Sequence, residues 1–177
     1  IIRNIKIYDG TGKAGCVGSI SISDDKVTGV YRSQEPPVSA LHEIQGEGLC
    51  AAPGFVDTHT HSDMYLLHDG RQPSSISQGV TTEILGQDGL SYAPLSIKNL
   101  KDYARYIKGL DGQFDDVALD FTSAKEYLQR FSGKIGVNVA WLIPHCALRL
   151  ETAGFQNRLL DSGEMSKACG MIAEAMD

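Results

Sequence analysis

The sequence predicts an α/β fold preceded by a small β-sheet, and three observations carry that expectation. The first fifty or so residues alternate apolar and polar in short runs separated by turn residues, the period-2 pattern of half-buried strands. After Pro53, strand-like and helix-like stretches alternate three times, the rhythm of parallel βαβ units with right-handed crossovers. The last of those strands, "IGVNVAWLIP", is almost continuously apolar, as a strand buried on both faces should be.

Element by element, "IIRNIKIY" reads as a strand and "DGTG" as a turn whose glycines tolerate positive φ. "VGSISIS" alternates again, "DDK" turns the chain, and "VTGVYR" makes a third short strand. "SQEPPVS" reads as a polar loop, since two consecutive prolines cannot continue a strand ladder. Together these make a small antiparallel sheet with one buried face, spanning residues 1–52. In the second part, residues 53–177, "GFVDTH" reads as a short apolar strand and "PSSISQ" as a helical stretch with Pro73 near its start. "GVTTEILG" is β-branched and strand-like. "IKNLKDYARYIKGL" has helical apolar spacing, and "TSAKEYLQRF" opens on a capping box, Ser123 with Glu126 three residues on. The closing "DSGEMSKACGMIAEAMD" reads as a helix that Asp161 caps with Glu164.

Two architectures suit this rhythm, a doubly wound open sheet and a (β/α)8 barrel, and both gather function at the carboxyl ends of their strands. A barrel needs roughly 250 residues, so on that reading the chain holds three of eight units. No GxGxxG or GxxxxGKS/T loop is present for phosphates.

Composition narrows the function classes. A hydrophobic share of 42% and a charged share of 21% are those of a globular protein. A net charge of −6 argues against nucleic-acid binding, and no run of about 18 apolar residues is there to cross a membrane. The first residues lack the apolar core and cleavage site of a signal peptide, and the chain starts without Met, so native residues are expected to precede it. Cys16, Cys50, Cys146 and Cys169 are scattered with no CxxC pair, which offers neither a disulfide framework nor a thiolate zinc knuckle. Each is expected to be a small buried apolar residue in a reducing, cytoplasmic protein.

The chemistry centres on "GFVDTHTHSD". On a strand, residues i and i+2 project from the same face about 6.6 Å apart along the axis, so His59 and His61 can converge on one cation, anchored by Phe55 and Val56. The alternative is two histidines in a turn that bond only to water. "GQDGLSYAPL" puts Asp88 at the end of the second strand, where its carboxylate either reaches the same cation or caps its own loop as an Asx-turn. "IPHCALR" puts His145 and Arg149 after the third strand, as substrate contacts or as ordinary half-buried and surface residues. His42, in the small sheet, and His68, beyond the strand tip, are not expected to be ligands.

These residues carry a family resemblance. "APGFVDTHTHSD" resembles the first-strand signature of the amidohydrolase superfamily, and "QGVTTEILGQDGLSYAPL" and "NVAWLIPHCALR" resemble its D-aminoacylase branch, the N-acyl-D-amino-acid deacylases. "YDGTG" is similar to a turn in that branch's N-terminal sandwich, so the likeness runs over essentially the whole chain. The resemblance implies the N-terminal portion of a metal-dependent TIM-like barrel, with residues 1–52 giving half of a small β-sandwich. It implies a divalent metal, zinc first, held in part by His59 and His61. Asp88 stands where the branch usually has a ligating cysteine, and a carboxylate there is a harder ligand that should shift metal preference. Asp57 would brace the strand end behind the histidines, and His145 and Arg149 match a segment near the rim.

The family's other metal histidines and its catalytic aspartate come on later strands, beyond Asp177. No catalytic residue is therefore expected in this chain, and by itself it should be inactive and prone to aggregate. The activity implied is hydrolysis of the amide of a small N-acyl D-amino acid by the full-length parent, whose remaining barrel is this chain's partner. Two alternatives stand beside it. One is a cyclic-amide hydrolase of dihydroorotase or hydantoinase type, disfavoured because no lysine follows "GVTTEILG" at the second-strand rim. The other is a scaffold relative that has lost its metal, which the aspartate at position 88 motivates.

Overall fold

The structure, a computed structural model, describes residues 1–32, 36 and 39–177, so the loop expected over "SQEPPVS" falls largely outside the described residues. They divide into two compact units, Ile1–Pro53 and Gly54–Asp177.

In the first unit, strands β1 (Ile2–Ile7), β2 (Cys16–Ser23) and β3 (Lys26–Arg32) form an antiparallel meander. Asn4 has a φ of 55° where the β1–β2 register shifts, so a bulge interrupts the alternation. Two pairings depart from the purely antiparallel expectation. β4 (Ile44–Gln45) and β5 (Cys50–Ala51) both run parallel to β1, making a mixed five-stranded sheet. Two-residue strands carry no alternation, which is why the sequence hides them. Ile5, Ile7 and Ile20 are the buried centre of this unit.

The second unit is a mixed α/β body. β6 (Phe55–Asp57), β7 (Val80–Leu85) and β8 (Asn138–Trp141) pair in parallel in that order. Short helices α1 (Asp63–His68) and α2 (Pro73–Ile76) join β6 to β7, and α3 (Ile97–Asp111) and α4 (Ala124–Gln129) join β7 to β8. Helices α5 (His145–Ala153) and α6 (Ser162–Met176) follow. The capping boxes of α4 and α6 form as the sequence predicts, with Ser123 and Asp161 accepting from the backbone N–H groups of Glu126 and Glu164. The core gathers Leu85, Tyr92, Leu100, Tyr103, Phe121 and Tyr127 beside the sheet.

Three expectations are corrected. The strand read as "GFVDTH" stops at Asp57, because the Asp57 carboxylate accepts from the His59 N–H at 3.1 Å and turns the chain out of the sheet. β8 is not buried on both faces: Val139 and Trp141 are half-buried and packed on the core, while Asn138 and Ala140 are exposed on the other side. Of the cysteines, Cys50 and Cys169 are exposed and Cys16 and Cys146 half-buried, so none is a fully buried apolar residue; all four are free thiols. Among the described residues no helix is long and apolar enough to cross a membrane.

Candidate metal centre

The carboxyl ends of β6 and β7 carry the candidate site. Beyond Asp57, residues 58–62 form an irregular loop that bears both histidines and leads into α1. After Leu85 the chain makes a sharp turn through Gly86 and a 3-10 turn, Gln87–Gly89. Gly86 has a φ of +79°, and a Cβ there would meet the Leu142 carbonyl oxygen at 2.2 Å, so no other residue fits. Asp88 also has left-handed backbone, φ 56° and ψ 16°, a conformation that Asp tolerates better than most side chains.

The histidines therefore do not share a strand face, yet they converge. The Nε2 atoms of His59 and His61 each lie 3.3 Å from Oδ2 of Asp88, and one ligand atom from each residue lies within 4.8 Å of the others. The imidazole rings stand 5.5 Å apart, edge to face. The Asp88 carboxylate accepts no N–H from its own loop, so the Asx-turn alternative is not what the structure contains; that motif belongs to Asp57. Two imidazole nitrogens and a carboxylate oxygen are a donor set that suits a divalent cation such as zinc. Donors about 2.0–2.1 Å from a tetrahedral zinc are about 3.3–3.4 Å apart, which the two Nε2–Oδ2 separations match. The residues fit the ion.

The other residues singled out by the sequence fall at varying distances from this group. Asp57 sits directly beneath it, as the turn-former for His59. His145 is exposed at the first position of α5, against the turn that carries Asp88: a Cβ on Gly89 would lie 3.2 Å from the His145 Cβ. Arg149 is engaged elsewhere, its guanidinium donating to the carbonyls of Gln156, at 3.0 Å, and Arg158. His68 stacks on Phe114 and pairs with Asp116 at 2.8 Å, and the His42 carbonyl accepts from the chain's N-terminal amine at 2.8 Å. Neither joins the ligand group.

Below the site lies a buried polar network absent from the sequence reading. Asp63, 1% exposed, accepts from Tyr127 Oη at 2.7 Å and from the Ser91 hydroxyl, which in turn accepts from Trp141 Nε1 at 2.9 Å. Burial raises the Asp63 pKa, and its hydrogen bonds and the nearby His61 oppose the rise. Glu83, also 1% exposed, accepts from Ser62 Oγ at 2.5 Å, Ser75 Oγ at 2.6 Å and Gln72 Nε2 at 3.2 Å. Gln87 Nε2 donates to the carbonyls of Thr58, at 2.7 Å, and Ile84, at 3.3 Å.

No family profile matches the chain. It is 28% identical over 177 residues to an N-acyl-D-aspartate deacylase of Alcaligenes xylosoxydans xylosoxydans and 29% identical over 171 residues to a D-aminoacylase of the same organism. These alignments cover 99% and 96% of this chain and 34% of each relative. A solved structure of D-aminoacylase, described for the functional role of its binuclear metal centre, matches with a TM-score of 0.83 at 27% identity, over 99% of this chain and 35% of that one. The chain thus spans about a third of the length of the curated relatives it matches. Its homologues and structural neighbours are D-aminoacylases, hydrolytic enzymes of the amidohydrolase family.

Proposed function

We propose that the protein carrying this chain is a metal-dependent amide hydrolase that deacylates N-acyl amino acids of D configuration, and that His59, His61 and Asp88 supply part of its metal centre. The observation that carries the reading is the convergence of three ligand atoms, from two separate segments, at the carboxyl ends of adjacent parallel strands. That is where α/β folds place their chemistry. The relatives supply the substrate class, since the curated matches include an N-acyl-D-aspartate deacylase, a D-aminoacylase and an N-acyl-D-glutamate deacylase. In this reading residues 53–177 are the opening βα units of a TIM-like barrel, and residues 1–52 give strands to a small β-sandwich.

When bound, a divalent cation, zinc by preference, supplies a Lewis acid for the amide carbonyl and lowers the pKa of water toward neutrality. The chain's own residues hold and orient. Asp57 fixes the start of the histidine loop, His59 and His61 present their Nε2 atoms inward, and Asp88 adds a negative oxygen that favours a cation between them. His145, beside the Asp88 turn, is placed to touch substrate at the rim. The proton-transferring carboxylate is supplied from outside this chain, by the remainder of the barrel.

The full-length protein is expected to contain a divalent metal and to release free amino acid from N-acyl-D-amino acids in preference to dihydropyrimidines. A His59→Ala, His61→Ala double variant that keeps the activity would overturn the mechanism. Purified protein that neither contains nor takes up zinc, manganese or iron would favour a non-catalytic scaffold instead.

A further inference from the structure

We propose that Glu83 and Gln87 are positioning residues that act as a paired clamp, setting the distance between the histidine loop and Asp88; this rests on the metal-centre reading above. The two ligand-bearing segments have little regular structure of their own. The loop 58–62 is irregular, and Asp88 sits on a three-residue 3-10 turn. What joins them is side chains from β7 and the turn after it. Gln87, the residue before Asp88, grips the carbonyl of Thr58, the residue before His59. Glu83 grips the hydroxyl of Ser62, the residue after His61. The histidine loop is thus held at both ends from the element that presents the third ligand.

The chemistry of Glu83 argues that this is more than packing. A carboxyl side chain that is 1% exposed, in a strand of Val, Thr, Ile and Leu, is costly to desolvate, and an apolar residue would fill the position without that cost. All of its hydrogen-bond donors among the described residues are uncharged, two serine hydroxyls and one glutamine amide, from the histidine loop, α2 and the residue before α2. A carboxyl group can accept several donors at once, so one side chain ties the histidine loop to the start of α2. Gln87 does the same with a two-donor amide that bridges the carbonyls of Thr58 and Ile84.

The test compares Gln87→Ala, Glu83→Gln and Glu83→Ala with the parent in the intact protein that carries this chain. Three quantities are read: Co(II) affinity by chelator competition, the Co(II) visible spectrum, and the melting temperature of the metal-free protein. Gln87→Ala is expected to weaken Co(II) binding by about 10- to 100-fold and to change the visible band, with the metal-free melt close to that of the parent. Glu83→Ala should weaken binding at least as much. Glu83→Gln should recover part of the loss, because its amide oxygen still accepts from Ser62. If Glu83→Ala does not fold, Gln87→Ala decides. Unchanged affinity and spectrum in Gln87→Ala overturn the clamp. So do losses of affinity that only track losses of melting temperature across the variants. A parent that binds no Co(II), or binds it equally well without His59 and His61, fails the metal centre and the clamp together. A parent that binds through those histidines while the clamp variants bind alike fails the clamp alone.

Discussion

Asp88 Oδ2 stands 3.3 Å from the Nε2 atoms of both His59 and His61, wider than the about 2.7–2.9 Å of a charge-assisted hydrogen bond and open enough for the shared cation proposed above. Asp88 is exposed, and Asn tolerates the same left-handed backbone, so Asp88→Asn is expected to leave the metal-free melting temperature almost unchanged while divalent-metal affinity falls at least tenfold, measured by chelator competition. Asp88→Cys is expected to shift preference toward the softer ions, raising cadmium and zinc affinity relative to manganese. Asp111 offers a separate test. Burial pushes its carboxyl from the usual 3.8 up to about 7; the neighbouring Tyr92 hydroxyl opposes the rise and the charge of Asp63 adds to it. Between those two values the folded protein holds a proton that the unfolded chain has lost. Stability from this group is therefore greatest below about pH 4, falls as pH rises, and levels off above about pH 7. Asp111→Asn should raise the melting temperature at pH 8 and change it little at pH 4. At this scale the pair His59 and His61 stood out because the chain has only five histidines and two of them are separated by one residue, whereas Asp88 came forward as a candidate through the family resemblance. Glu83 and Gln87 were not legible, since nothing in their spacing tells that they reach across to a loop some 20 to 30 residues away.

Helices that announced themselves by a cap, by Pro73 near the start or by sustained apolar spacing were legible in the sequence: α2 and α3 were read without any side-chain cap, whereas α1 and α5 carry none of these signals strongly. α4 and α6 begin on complete capping boxes and appear where expected. α5 begins after Pro144 with no side-chain cap, so only the run of buried Ala147, Leu148, Leu150 and Ala153 marks it, and the sequence reading passed over it. α1 was missed for a related reason, having six residues and no capping hydrogen bond. Ser123→Ala should cost about 1 kcal/mol, seen as a lower urea midpoint at constant slope. The end of β6 was misplaced because apolar alternation does not register the Asx-turn at Asp57, which overrides strand continuation two residues early.

At the scale of the molecule, both sheets leave apolar side chains in the open. Val17 is 60% and Val27 62% exposed in the first unit, and Phe55 is 65% and Val56 53% exposed in the second. Alternation in the sequence identified which residues would line a face, but not whether this chain covers that face. The 177-residue chain on its own is expected to self-associate and to bind an apolar dye, whereas a longer protein that covers these faces should do neither. Size-exclusion chromatography with light scattering checks this, and a monodisperse, dye-silent chain would contradict it.

The stretch from Asp57 to Ser62 is pinned by its own first carboxylate at one end and by a buried acid at the other. It has no slack. A single residue spliced into it would have to bulge outward and carry one imidazole off its target, so this short interval should keep its length even where its lettering drifts.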